Sequence, residues 1–389
     1  MSPGPIIQPS ASEGDSDTDV HKLTVDNLEQ KHRDVFTRAL SHILSTPTAE
    51  LTYAQIIDGA PLGPVVENSD AGALFPQNHP VLDQHLELCP GVLDTTRHSC
   101  STFDLKVLKF DSQLLHSYHA ASLGSRAFKT RLIEMVAISI HQIAVYLYNL
   151  DLDLGGHKDL VAWVAPTNDL LYMIYPDGKL PSLFFHSQYR DIDQYPNGAA
   201  DMVGYWAENQ IFGGVVLFDR RKPSEREPHE DPDAIYIHPS HKKVTYRICK
   251  LLDTQKNKLL DYLLSEPDSD INHIPVPNPF PILPDGNNLS RIDPEEPIRE
   301  TGIYRDLWER KPLGDNSWDR RLHCCAWNDL DYTSREDYQR SQDRSTARRA
   351  EIYERHGAEL QARIEESERA EAAACEGEED EVAKTLKRE

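Results

Sequence analysis

The stretch RAFKTRLIEMVAISIHQIAVYLYN, Arg126–Asn149, has the most regular apolar pattern in the sequence. Its apolar side chains recur every third or fourth residue, as they do on one face of a helix. The main stripe consists of Phe128, Leu132, Val136, Ile140, Ile143 and Leu147. Ile133, Ala137, Ala144 and Tyr148 widen it. A stripe of this width predicts a long helix that protein covers on most sides.

Short runs rich in β-branched or aromatic residues follow this helix, each bounded by Pro, Gly, Asn or Asp, which is typical of strands. They start at Leu160, Leu170, Ser182, Val215 and Ala234. The alternating run FDLKVLKF before the helix, starting at Phe103, predicts a further strand.

Strict alternation of strands with helices is absent, which disfavours a doubly wound parallel sheet. The sequence therefore predicts an α+β fold with a mostly antiparallel sheet of about five to seven short strands. We expect this sheet to pack against the long buried helix, and a charged helical tail to follow at the C-terminus.

Changes in composition divide the chain into four parts. Residues 1–20 are rich in Ser, Pro, Gly and Asp and predict a disordered lead. Residues 21–100 predict an amphipathic helix followed by a surface excursion over 61–82. Residues 101–330 form the expected central domain. Residues 331–389 hold 17 acidic and 11 basic side chains, which predicts a solvated charged helix that ends in an acidic tail.

The charge balance excludes some classes of partner. With 41 Lys and Arg against 64 Asp and Glu, the net charge is −23, which disfavours nucleic acid and acidic membrane surfaces. There is no apolar run of about 18 residues, and the N-terminal residues lack a signal-peptide pattern. The six cysteines have no framework spacing and predict reduced thiols, so we expect a soluble cytoplasmic protein. The oligomeric state is left open.

Motifs that carry a known mechanism are missing from the sequence, including phosphate-binding glycine loops, GxSxG, HExxH and CxxC. Two His-x-x-His pairs, His116 with His119 and His238 with His241, lack a carboxylate at a standard zinc spacing, so surface or core histidine is the preferred interpretation. We therefore assign no cofactor, and the metal requirement is unknown.

Polar and aromatic side chains are densest in FFHSQYRDIDQYPNGAADMVGYWAENQIFGGVVLFDR, residues 184–220. A helix from Ala199 to Gln210 would place Asp201, Tyr205 and Glu208 on one face, opposite the loop that holds the other candidates. Partly desolvated carboxylates suit general acid/base work. The candidate catalytic residues are His186, Asp191, Asp193, Tyr195 and Tyr205.

Other interpretations of this region stay open. His186, Asp191 and Asp193 together would suit a divalent cation. Alternatively, Asp191 pairs with Arg190 and Asp219 with Arg220, and the whole group is a structural polar network. His141, within the long helix, is either a core histidine or a further catalyst.

Residues 184–220 resemble the signature stretch of a family of uncharacterised proteins from filamentous ascomycete fungi. The long helix and GIYRDLWERKPL, Gly302–Leu313, are similar to other blocks shared within that family. The resemblance covers roughly residues 105–313. It implies a fungal origin, and it brings no activity, fold or catalytic residue.

These observations leave two hypotheses of different classes. In the first, the central domain binds a small molecule near the Tyr195–Gly198 turn and performs acid/base chemistry. In the second, the protein is a non-catalytic interaction or scaffold protein that captures a protein partner with its charged C-terminal helix. Whether the protein is an enzyme is left undecided.

Overall fold

The computed structural model describes residues 21–70, 75–150, 152, 154–173, 175–266, 276–310, 327–348, 350, 357 and 361. The expected disordered lead and most of the acidic tail lie outside these residues.

Helices dominate the described residues, and the strands are short. The helices are α1 (Gln30–Leu44), α2 (Pro47–Asp58), α3 (Gly63–Glu67), α4 (Val81–Gln84), α5 (Val92–Ser101), α6 (Ser112–Ala120), α7 (Arg126–Asn149), α8 (Lys158–Val161), α9 (Ala199–Phe212), α10 (Asp253–Leu263), α11 (Ile298–Thr301) and α12 (335–348). The strands are β1 (Lys22–Leu23), β2 (Phe110–Asp111), β3 (Val215–Asp219), β4 (Ile235–His238), β5 (Ile248–Lys250), β6 (Arg291–Ile292) and β7 (Ile303–Tyr304).

Helix α7 confirms the prediction from its apolar stripe. Ser125 caps it by accepting a hydrogen bond from the Phe128 N–H at 3.2 Å. Most of its side chains are buried, and it packs against α9, α6 and α2. Although α7 is long and apolar enough to cross a membrane, protein covers most of it, as in the core helix of a soluble protein.

The main sheet has five strands in the order β6-β5-β4-β3-β7, and every pair in it is antiparallel. Because side chains alternate across a strand, β3 contributes to two cores. Val216 and Phe218 face a core shared with α1, α2, α7 and α10. Val215 and Leu217 face a second core that contains Tyr189 and Tyr205. The fold class is therefore α+β, as predicted, with an antiparallel sheet beside a long buried helix.

Several predicted strands are wrong. The Leu160 run forms the end of α8 and a loop, and the Leu170 run forms a 3₁₀ turn. The Ser182 run is buried but irregular, and the Phe103 run becomes a strand only at Phe110–Asp111. Pro166, Pro176 and Pro181 flank these runs, and proline supplies no N–H for a strand ladder. The Ser182 run is thus buried without forming a strand, whereas Val107, Val161 and Val164 of the other runs are exposed.

Residues 61–82 are also not an exposed excursion where the structure describes them. They include α3 and the first half of α4, and they bury Val66, Phe75 and Val81. The Gly63 N–H donates to the His85 carbonyl oxygen at 2.8 Å. This segment is therefore tied to the loop that follows α4.

Candidate functional site

His186, the first of the predicted catalytic residues, is fully buried. Its Nε2 lies 3.1 Å from the carbonyl oxygen of His238, and its Nδ1 accepts the Gln188 N–H at 3.2 Å. Burial lowers the pKa of His186 to about 3. The imidazole is therefore neutral, and both of its nitrogens are engaged by the backbone.

The structure brings two other predicted residues together. The Tyr195 and Tyr205 rings are 5.5 Å apart, and the Tyr195 hydroxyl donates to the Glu309 carbonyl oxygen at 3.1 Å. That hydroxyl also accepts the Asp191 N–H at 3.2 Å. Burial raises the pKa of Tyr205 well above its ordinary value. Both tyrosines belong to the second core.

The remaining predicted residues do not join one cluster. Asp191 is half-buried in front of a 3₁₀ turn, whereas Asp193 is exposed within that turn. His186 contacts the ring of Tyr189, which separates it from Tyr205. The two tyrosines thus share an aromatic layer, with His186 beyond it and Asp193 in solvent.

The acidic face predicted for α9 is present, but its partner is His141 of α7. His141 Nδ1 lies 2.9 Å from Glu208 Oε1, and its Nε2 lies 3.0 Å from Asp201 Oδ1. Because both nitrogens face carboxylates, both carry protons. Burial disfavours this charge, but the hydrogen bonds to Asp201 and Glu208 raise the pKa of His141 above its ordinary value.

A second cation completes this buried network. Arg305 Nη1 donates to Glu208 Oε2 at 2.7 Å, and the Asn197 N–H donates to Asp201 Oδ2 at 2.8 Å. His141 and Arg305 thus face the carboxylates of Asp201 and Glu208, and Arg305 also pairs with the partly exposed Asp306. The expected Asp219–Arg220 pair is not the one formed, since Asp219 pairs with Arg221 and Arg226, and Arg220 pairs with Glu134. The network links α7, α9 and the segment after β7, as a structural network would.

A large open cavity lies at one end of the main sheet and touches all five of its strands. Its volume is about 950 Å³. Because the sheet curls, its two edge strands reach the same cavity. The lining residues include Asp219 of β3, Tyr236 of β4, Lys250 of β5, Ile292 of β6 and Tyr304 of β7. The cavity is therefore a product of the sheet topology.

The acidic groups of the cavity wall are engaged. Although burial opposes it, hydrogen bonds from Arg221 lower the pKa of Asp219. The other acidic side chains of the wall have partners too: Glu225 with the Lys222 N–H, Glu230 with Arg221, Asp231 with Arg126 and Lys256, Glu296 with Arg344, and Glu300 with Arg348. Their negative charge is thus largely neutralised.

Two basic residues of the cavity wall, Lys250 and Arg291, form no ion pair with a carboxylate of the described residues. Lys250 is half-buried and makes no ion pair with any described residue. Arg291 donates to the carbonyl oxygens of Asp285, Asn288, Leu330 and Asp331, and to no carboxylate of the described residues. Burial raises the pKa of the neighbouring Tyr236 to about 12, so its hydroxyl keeps its proton. Lys250 and Arg291 are thus basic groups of this wall that have no carboxylate partner among the described residues.

One group of metal-ligand residues lies at the end of α2. Among the described residues, Asp58, His85, Cys89 and His157 place one ligand atom each within 4.8 Å of all the others. The His238–His241 pair instead bonds to Tyr189, Tyr246 and Asn209. The cation set expected from His186, Asp191 and Asp193 does not assemble, because the His186 nitrogens are used by the backbone.

Comparison with protein-family models, with curated proteins and with solved structures gives no match. The function is therefore inferred from the geometry of the described residues.

Sequence reasoning missed the cavity residues and the ligand group. Lys250 ends the run RICK, and the only sequence feature that could have indicated a cavity residue was a single lysine next to apolar residues. His85 and Cys89, separated by three residues, gave a local signal for the ligand group, but Asp58 and His157 are distant in sequence. Only the folded chain brings these residues together.

Proposed function

We propose that the protein binds a small anionic molecule in the cavity of the curled sheet. The supporting observation is Lys250, a half-buried lysine that faces this cavity and has no carboxylate partner among the described residues. In a chain of net charge −23, such an unbalanced positive position favours a carboxylate or phosphate group. Arg291 and the protonated Tyr236 hydroxyl stand in the same wall.

The size of the cavity supports a small ligand. Small-molecule sites usually have volumes of about 300–1,000 Å³, and this cavity of about 950 Å³ falls in that range. Its wall combines paired charges with Ile292, Ile303 and Leu307. This composition suits a polar metabolite whose acidic group lies at Lys250 and whose carbon skeleton packs on the apolar side chains.

The acid/base chemistry expected of His186, Asp191, Asp193, Tyr195 and Tyr205 stays a prediction. The binding proposal does not depend on it. The alternative role as an interaction protein also stays a proposal, and the described part of α12 uses Arg344 and Arg348 for ion pairs within the chain.

We propose a cytoplasmic location as well. Cys89, Cys100 and Cys249 are free thiols, which suits a reducing compartment. A fungal origin rests on the resemblance of residues 184–220 alone.

A thermal-shift screen tests the binding proposal. The purified protein is heated with a panel of small carboxylates and phosphate monoesters, beside Lys250→Gln and the control Lys258→Gln. Lys258 is exposed on α10, outside the cavity. We expect at least one anion to raise the Tm of the wild type and of Lys258→Gln. Lys250→Gln should bind it roughly tenfold or more weakly, because a charged hydrogen bond is lost.

An equal response of both variants to every stabilising anion would contradict the proposal. So would a panel in which no carboxylate or phosphate monoester raises the Tm of the wild type.

A further inference from the structure

The end of α2 gathers four side chains of different chemistry at one point. Asp58 is the last residue of α2, His85 follows α4, Cys89 precedes α5, and His157 precedes α8. Backbone hydrogen bonds hold the loop before α8 against the end of α2. The Leu154 N–H donates to the Ile57 carbonyl oxygen and the Gly155 N–H to the Asp58 carbonyl oxygen, both at 3.2 Å. The four side chains thus come from four separate stretches of the chain.

Gly155 leaves room for the Asp58 and His157 side chains to approach each other. A Cβ at Gly155 would collide with Asp58 Oδ1 and with the His157 ring. Glycine at 155 therefore allows the loop before α8 to approach Asp58 closely. Because Gly155 has no side chain, His157 Nε2 can lie beside Asp58 and Cys89.

The donor set is the one that zinc prefers. Two imidazole nitrogens, one sulfur and one carboxylate oxygen are intermediate between hard and soft ligands, as zinc requires. Magnesium and calcium instead take oxygen ligands. The Cys89 Sγ to His157 Nε2 distance is 3.6 Å, and Asp58 Oδ1 lies 3.5 Å from His157 Nε2. Zinc bonds of about 2.0–2.3 Å in a tetrahedron put neighbouring donors about 3.3–3.6 Å apart.

One carboxylate oxygen of Asp58, Oδ1, has no hydrogen-bond partner among the described residues. Asp58 is fully buried, and its Oδ2 accepts the Cys89 N–H at 3.0 Å. Buried polar atoms are rarely left without a hydrogen-bond partner, and Oδ1 lies 3.5 Å from His157 Nε2, which is a spacing that a shared metal ion allows.

The orientation of His85 suits a metal ligand. Its Nδ1 lies 2.9 Å from the Pro61 carbonyl oxygen, which only accepts, so Nδ1 carries a proton. Its Nε2 lies 3.1 Å from Asp58 Oδ2, where it donates to the carboxylate when protonated and becomes a metal ligand when a cation displaces that proton. A backbone carbonyl that holds the other nitrogen is the usual second contact of a metal-bound histidine.

We propose that Asp58, His85, Cys89 and His157 bind one zinc ion. Four protein ligands complete a tetrahedron and leave no position for water or substrate, so the ion is structural. It joins the end of α2 to the segments before α5 and α8, and so links parts of the chain that are far apart in sequence. This site is separate from the sheet cavity, and the two proposals stand independently.

Metal analysis of the protein as purified, and after reconstitution with zinc, tests the proposal. We expect about one zinc ion per chain in the wild type and in Cys100→Ser, and far less in Cys89→Ser. Cys100 is a free, half-buried thiol outside the cluster and serves as the matched control. A chelator should lower the Tm of the wild type, and added zinc should restore it.

Cobalt substitution decides the question without relying on a variant that fails to fold. Wild-type protein loaded with Co²⁺ should show a thiolate-to-cobalt charge-transfer band and intense tetrahedral ligand-field bands. Cys100→Ser should keep the charge-transfer band, and folded Cys89→Ser should lose it. Absence of both the band and bound zinc in the folded wild type would overturn the proposal, and so would a band that persists in Cys89→Ser.

Discussion

His141 illustrates how a single buried side chain depends on its neighbours. Its ring lies between Asp201 and Glu208, and Arg305 balances the second oxygen of Glu208. A lone histidine on an apolar helix favours a neutral core residue, and the sequence left its role open. The carboxylates of α9 make it a cation instead, because the hydrogen bonds outweigh the cost of burying the charge.

The pH dependence of stability tests this protonation state. Since the pKa of His141 is raised above 6.5, its stabilising contribution is complete below about pH 6.5 and is lost as the pH rises through the folded-state pKa. We expect His141→Gln to cost about 3 kcal/mol near pH 6 and clearly less at alkaline pH. Urea unfolding at several pH values measures this, with exposed His98→Gln as the control.

A constant cost of His141→Gln from pH 6 to the alkaline range would show that His141 is neutral in the folded protein.

Gly204 makes the position of His141 possible. A Cβ at residue 204 would collide with the His141 ring, which is held on both sides by carboxylates and has little freedom to move. We expect Gly204→Ala to lower the free energy of unfolding by about 1–3 kcal/mol, as overpacking does. Gly286→Ala is the control, because a Cβ at 286 meets no atom within 4 Å. Equal stability of the two variants in urea would contradict the packing described.

At the scale of elements, α12 is docked on the body through buried groups as well as surface pairs. Arg247, which is fully buried, pairs with Asp293 at 2.6 Å and with Asp337 of α12 at 2.8 Å. Its guanidinium lies over the Tyr332 ring, 5.2 Å from the centroid. The first part of the charged C-terminal region therefore contributes to the core beside β5.

Two truncations test this docking. A chain that ends at residue 348 keeps the ion pairs of α12 with the body, and we expect its Tm to match the full chain within a few degrees. A chain that ends at residue 326 loses Asp337 and Tyr332 and leaves Arg247 with one carboxylate. Removing a partner from a buried ion pair costs about 3–5 kcal/mol, so this chain should unfold at clearly lower urea concentration. Similar midpoints for the two truncated chains would contradict the docking.

The elements differ in how far the sequence predicts them. α7 and α9, with 24 and 14 residues, are long enough to show a helical period, and β3 and β4 coincide with the apolar runs that start at Val215 and Ala234. β5, β6 and β7 have three, two and two residues, too few for alternation to be visible. Buried runs such as the one at Ser182 mimic strands, because burial and strand pairing leave the same apolar signal.

At the scale of the whole molecule, sites depend on contacts between distant residues. The acidic face of α9 was predictable from helical spacing, but its partner His141 lies 60 residues before Asp201. The predicted catalytic residues lie in different surroundings, since Tyr195 and Tyr205 belong to the second core, His186 is bonded to the backbone and Asp193 is exposed. The cavity arises from the curl of the sheet, which brings β6 and β7 near each other and which no local pattern encodes.

Hydrogen–deuterium exchange of the whole chain tests the central claim, that the sheet cavity binds a small anion. The probe is the carboxylate or phosphate compound that raises the Tm most in the thermal-shift screen. We predict slower exchange in peptides that cover 248–252 and 290–304, which carry Lys250, Arg291 and the wall around β7. Slower exchange confined to other parts of the chain, with these two peptides unchanged, would contradict the claim.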